Sequence, residues 1–159
     1  MGPPADRPIG LTLARTAKVV SRAFDERLAA AGGSQPVWLV LLALRTGSGG
    51  TQTTLAEAVG IRGATLTHHL DAMEGDGLVA RHRDPANRRV QIVELTPAGE
   101  AMFDRLREAA IVHDRRLREG LDADDVARLT ELLARMHANV TDDAGRATPT
   151  ATDGGRVGS

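Results

Sequence analysis

A mainly α fold with one small β-hairpin is what this sequence predicts. Three observations predict it. Apolar residues recur at steps of three and four over residues 9–28 and again over 102–140. Two short helical patterns follow one another between Leu55 and Met73, with Gly60 between them. After Gly77 the period changes to that of strands, with Asp84-Pro85-Ala86-Asn87 as a turn. The chain has 159 residues, about one domain with tails.

The elements follow in order. Residues 1–8 form a polar, proline-rich tail with no apolar signal segment. Ile9, Leu13, Ala17, Val20, Phe24 and Leu28 then mark one face of a helix, with Lys18, Arg22 and Asp25 on the other. Gly32 and Gly33 end it. Ser34 and Pro36 suit the start of a second helix, whose segment Val37 to Leu44 is apolar all round and therefore central. Gly47, Ser48, Gly49 and Gly50 make a loop. Thr54 and Glu57 have the spacing of a capping box, which opens a short helix from Leu55 to Val59. A further helix buries Leu66, Leu70 and Met73 and stops at Gly75 and Gly77.

Strands are expected over Leu78 to Arg83 and Arg89 to Leu95. Thr96 and Pro97 cap the next helix, whose stripe is Met102, Leu106, Ala110, His113 and Leu117. Asp122 caps the last, with Val126, Leu129, Leu133, Met136 and Val140 as its stripe. Residues 141–159 are polar enough to be a disordered tail.

Two short helices with a glycine turn, followed directly by a hairpin, make a winged helix-turn-helix over residues 34–95. The helix over 9–33 and the helices over 96–140 lie outside it. Their stripes are too many for one small domain to cover, so the expectation is a helical dimerisation domain shared by two copies. A two-fold dimer places its reading helices ~34–36 Å apart and reads a near-palindromic site on double-stranded DNA.

Composition narrows the chemistry. With no cysteine there is no disulfide, thiolate metal site or thiol switch. The longest apolar run, Val37 to Leu44, is far short of the ~20 residues of a membrane span, so a cytoplasmic protein without membrane contact is expected. The formal charge is only −1, yet residues 81–89 hold four arginines against one acid. That basic cluster falls on the hairpin.

On the reading helix, Arg62, Thr65, Thr67, His68 and Asp71 lie off the buried stripe. The threonines suit phosphates or a thymine methyl, and Arg62 a phosphate or guanine. His68 can donate to guanine N7. On the hairpin, Arg83, Asn87, Arg88 and Arg89 complete the candidate DNA-binding set. Arginine is favoured in a narrow minor groove, where negative potential is concentrated. The bland alternative for all of these is a solvated surface.

Other functions are weighed against this. No nucleophile elbow, P-loop or dinucleotide fingerprint is present, and His113 and Asp114 point about 100° apart on a helix, so no enzyme and no cofactor are expected. Five histidines include no pair at metal-binding helical spacing, and no metal site is expected. A metal-responsive regulator, with His113 and His137 meeting across the last two helices, is a minor alternative. A winged domain used only for protein contacts is another. It would have no DNA site and would be indifferent to loss of Arg88 and Arg89.

The ordered set Gly60-Ile61, Leu66-Thr67-His68-His69-Leu70-Asp71-Ala72-Met73-Glu74, Gly77-Leu78-Val79-Ala80-Arg81, Asn87-Arg88-Arg89 and Leu95-Thr96-Pro97-Ala98-Gly99 resembles the multiple antibiotic resistance regulator (MarR) family. The resemblance covers about residues 9–140. It implies a homodimeric transcriptional regulator, usually a repressor, released by a small aromatic or phenolic effector bound between the dimer helices and the winged domain. For that ligand the candidates are Arg15 and Arg22, which match a carboxylate, and Trp38, which can stack on a ring. His69 is a fourth, with a packed core histidine as the alternative. Lacking cysteine, the chain falls outside the family's peroxide-sensing branch. One departure stands out. The family's wing has an acid two residues before its minor-groove arginine, and this chain has Asn87 before Arg89. The expectation is that Asn87, or nearby Asp84, accepts from the Arg89 guanidinium.

Overall fold

The computed structural model describes residues 8–47 and 50–146. Its elements are α1 (Ile9–Ala30), α2 (Gln35–Arg45), α3 (Gln52–Val59), α4 (Gly63–Gly75), β1 (Val79–Arg83), β2 (Gln91–Leu95), α5 (Pro97–Leu117) and α6 (Ala123–Arg146). Residues up to Arg116 form one compact unit and those from Leu117 a second. Among the described residues no single helix is long and apolar enough to cross a membrane.

The first unit is built around α2. Val40 and Leu41 are fully buried, and so are Leu28 of α1, Leu55 of α3, Leu66 and Leu70 of α4 and Leu106 of α5. This is what an all-round apolar helix requires, because every face must find a neighbour. Each such leucine contributes roughly 1.5–3 kcal/mol by leaving water. Val79 and Val93 bring β1 and β2 onto the same core. The strands pair antiparallel, Val79 opposite Leu95 and Arg81 opposite Val93.

Two local expectations are corrected. The capping box is Thr51 with Thr54, not Thr54 with Glu57: each threonine hydroxyl accepts from the other's backbone N–H at 3.1 Å. Thr51 pairs as an isolated bridge with Ile92, and the Val93 N–H donates to the Gly50 carbonyl at 3.0 Å. That extended residue is an ideal N-cap, so α3 begins three residues before Leu55. The strands are also shorter than expected, because turn hydrogen bonds claim Arg89 and Val90.

Gly99 sits at the start of α5 against the end of α4's exit turn. A Cβ there would collide with the Leu78 carbonyl oxygen, so only glycine lets α5 leave the hairpin at this angle. Thr96 caps the helix as expected, accepting from the Gly99 N–H at 3.0 Å while donating to the Gly77 carbonyl at 2.5 Å.

In the second unit, Asp122 and Asp125 cap α6 reciprocally, at 2.8 and 3.2 Å. The apolar side chains of this helix stay open, with Leu129 49 % and Val140 68 % exposed. The expectation of a tail from residue 141 is corrected for residues 141–146, because α6 runs on through Arg146. Extending a helix adds one hydrogen bond per residue fixed, and the first proline after Thr141 is Pro149. Residues 147–159 lie outside the described residues, as do residues 1–7 of the N-terminal tail.

Candidate nucleic-acid interface

The turn between α3 and α4 depends on Gly60, which is left-handed at φ 69° and carries the chain out of α3 with its N–H on the Ala56 carbonyl. Arg62 then serves as N-cap of α4 in an extended conformation. Leu66, Leu70 and Met73 seal the inner face of α4. Arg62, Ala64, Thr65 and His68 are exposed. The entry end of the helix is slim, with Gly63, Ala64 and Thr65 in sequence. A slim N-terminal end suits insertion into a major groove, where the first residues of a reading helix meet base edges.

Thr67 differs from its neighbours. It is half-buried, its hydroxyl donates to the Gly63 carbonyl at 2.9 Å, and it accepts from the Gln52 amide at 2.6 Å. Its only proton is spent inside the protein, so it places Gln52 at the surface more than it offers a donor itself. Sequence reasoning missed Gln52, because the misplaced start of α3 left it outside the helix.

The wing is held by its own backbone. The Asp84 carboxylate accepts from the Ala86 N–H at 2.8 Å, and the Asn87 side-chain oxygen accepts from the Arg89 N–H at 3.2 Å. Neither takes the Arg89 guanidinium, which corrects the expectation for that pair. An Asx side chain reaches the N–H two residues on with little entropy loss, whereas a long arginine must be immobilised to meet it. Arg83 braces the turn by donating to the Arg88 carbonyl at 2.7 Å. Arg88 and Arg89 are exposed at its tip, and no described residue engages either guanidinium in a hydrogen bond or ion pair. Between the wing and the starts of α3 and α4 lies an open cleft of about 670 Å³, lined among others by Thr51, Gln52, Thr67, Arg89 and Gln91. Its lining mixes threonine and glutamine side chains with Ala56 and Val90 and carries one cation, Arg89.

The fourth arginine of the cluster, Arg81, is not available to a ligand. Its guanidinium lies between Glu74 (2.6 and 2.9 Å) and Asp71 (2.5 Å), and its backbone N–H also donates to Glu74 at 3.1 Å. The Arg81 side chain is 12 % exposed. The hydrogen bond from Arg81 holds the Glu74 carboxyl below its ordinary value, and Glu74 in turn raises Arg81. Asp71, expected on the reading face, is therefore committed to the hairpin.

The four ligand candidates are not brought together in the cleft at the wing. Arg15 is exposed, and Arg22 pairs with Glu26 one turn on, at 3.0 Å, on an exposed face. Trp38 is half-buried and stacks on Phe103, with centroids 5.6 Å apart. His69 is half-buried beside His68. His113 is buried and stacks on Phe24 at 4.9 Å. No group of three or more His, Asp or Glu that could hold a metal occurs among the described residues.

Comparison with known proteins bears on this geometry. A family model described as the MarR family matches residues 34–90, the span from α2 to the wing. The transcriptional repressor CouR, solved on a 23-mer DNA duplex, is 33 % identical, with 82 % of this chain and 92 % of that chain covered and a TM-score of 0.75. BpsR of Bordetella bronchiseptica, whose DNA binding is regulated by 6-hydroxynicotinic acid, is 25 % identical over 86 % of this chain and 98 % of its own, TM-score 0.74. A cysteine-to-serine mutant of MarR from E. coli, complexed with operator DNA, is 25 % identical over 81 % and 93 %, TM-score 0.73.

Proposed function

The chain belongs to the MarR family of transcriptional regulators, and from that premise we propose that it is a homodimeric repressor of transcription in the cytoplasm. It binds a near-palindromic double-stranded operator and is released by a small aromatic or phenolic ligand. The observation that carries the DNA reading is the pair Arg88 and Arg89, exposed on a turn fixed by Asp84, Asn87 and Arg83, beside the slim outer end of α4. α4 enters the major groove with Arg62, Thr65 and His68 toward the bases or phosphates, and the wing arginines enter the flanking minor groove. Asn87 and Arg83 hold the wing, and Thr67 holds Gln52 toward the backbone.

A second copy is the proposed partner of the flanking helices. Ile9 and Val19 of α1 are each 68 % exposed, and α6 exposes Leu129, Leu132, Leu133 and Val140. Apolar rows of this length on a soluble monomer are costly, and a two-fold pairing covers them. The effector acts by population shift. It binds more tightly to a dimer whose reading helices are wrongly spaced, and operator affinity falls by the ratio of its affinities for the two states. The aromatic acid that regulates BpsR supports this effector class, with Arg15, Arg22, Trp38 and His69 as the residues to test. No catalytic step, metal or cofactor enters this reading.

Fluorescence anisotropy tests it, with DNA from the region upstream of the gene at several salt concentrations against random competitor. The expected result is specific binding with a log K against log salt slope on the order of −4 to −8 for the dimer. A slope near zero, or equal affinity for random DNA, overturns it.

A further inference from the structure

Arg81 sits within the basic cluster, yet its charge points inward. The hairpin leaves α4 through a short turn at Gly77 (φ 70°), closed by the Gly77 and Leu78 N–H groups on the Glu74 and Met73 carbonyls and by the Thr96 hydroxyl on the Gly77 carbonyl. Arg81 reaches back across it. Its guanidinium and backbone N–H together take both oxygens of Glu74 and one of Asp71, two residues a turn apart on α4. Glu74 remains 40 % and Asp71 59 % exposed, while the arginine between them is 12 % exposed. Exposed ion pairs add little to stability. A planar, doubly anchored guanidinium does fix direction, because each added hydrogen bond removes a rotation.

We propose that Arg81 is a positioning residue that locks the wing to the reading helix at one angle, setting sequence specificity without touching DNA. It also offsets one of two negative charges on a helix that approaches a polyanion. This rests on the DNA-binding reading for its consequence, though not for its geometry. Four arginines in a row of nine residues therefore divide by role: Arg88 and Arg89 meet the ligand, Arg83 holds the turn, and Arg81 holds the turn's angle.

The absence of cysteine makes the geometry directly measurable. Nitroxides on Ala72→Cys and Ala86→Cys, both exposed positions, report the distance from α4 to the wing tip. Labelled protein is diluted into unlabelled protein so that the two labels of one protomer are read. A narrow distribution is expected with Arg81 in place, and a broadened or displaced one in Arg81→Gln. Glu74→Gln is the milder variant and keeps the test open if Arg81→Gln does not fold. An unchanged distribution in a folded variant overturns the lock.

The same variants are then titrated onto operator and random DNA. The ratio of the two affinities should fall about tenfold, the worth of one base contact, with the salt slope unchanged. A slope of the dimer shallower by about two, one per protomer, makes Arg81 a phosphate contact and overturns the proposal, as does an unchanged ratio. If the unsubstituted protein binds no DNA, the regulator reading fails by itself, and the label distances alone decide the lock.

Discussion

Leucines at helical spacing behave in opposite ways in two parts of this chain. In the winged region, Leu55, Leu66 and Leu70 have no exposed surface. In α6, Leu129, Leu132 and Leu133 follow a similar spacing and remain 40–49 % exposed. The residue type, the period and the helix quality are alike. The winged region closes its own core because α2 is apolar on all sides and offers α3, α4, β2 and α1 a common surface. α6 is strongly two-faced and has its apolar row open to solvent. A stripe therefore states that a helix has a partner, not that the partner lies in the same chain.

The comparison predicts that substitutions of equal size do different things in the two regions. Leu41→Ala or Leu66→Ala removes a fully buried side chain and should cost about 2–5 kcal/mol of stability, read as a fall in the thermal or urea midpoint. Loss of under ~1 kcal/mol would mean that α2 is not the keystone of that core. Leu129→Asp with Leu133→Asp should leave the winged region folded and halve the mass seen by sedimentation. An unchanged mass would show that the open row of α6 is not the subunit interface.

Next in size comes Arg89→Ala. An exposed tip residue touches no core, so the melting point should move by no more than ~0.5 kcal/mol equivalent. Operator affinity should fall by about 1–3 kcal/mol and the dimer's salt slope should lose about two, one per protomer. Equal operator affinity in the variant removes Arg89 from the interface and brings the protein-contact alternative forward.

How much of this was legible in the sequence follows from the range of each interaction. The stripes, the glycine stops and the Thr96-Pro97 start are local, and they place every helix within a few residues. The start of α3 was misread because Thr51 and Thr54 offer a capping pair as good as Thr54 and Glu57. Only the bridge from Thr51 to Ile92, distant in sequence, chooses between them. Arg81 reads from sequence as one more surface cation. Its pairing with Glu74 needs the angle at which β1 leaves α4, which no local pattern encodes. Asn87 carried a usable signal that was read toward the wrong partner. Its position before a turn residue favours its own backbone over a flexible guanidinium. Trp38 was open between core and ligand, and its stack on Phe103 ties it to the fold while the residue stays half-buried.

The smallest expected effect sharpens the same comparison through pH. The Glu74 carboxyl is held below its ordinary value of 4.5 by its hydrogen bond to Arg81. A carboxyl depressed in the folded state stabilises the fold above its unfolded value, and that contribution is lost as pH falls through the folded value. The winged region should therefore loosen at the α4–wing joint below about pH 4.5, before its core melts. Glu74→Gln has no proton to lose and should abolish the step while leaving neutral-pH stability nearly unchanged. Hydrogen exchange of the Arg81 amide, whose N–H lies on Glu74, reads this joint directly. A pH step that persists in Glu74→Gln would place the sensitivity elsewhere and leave the joint held by its backbone alone.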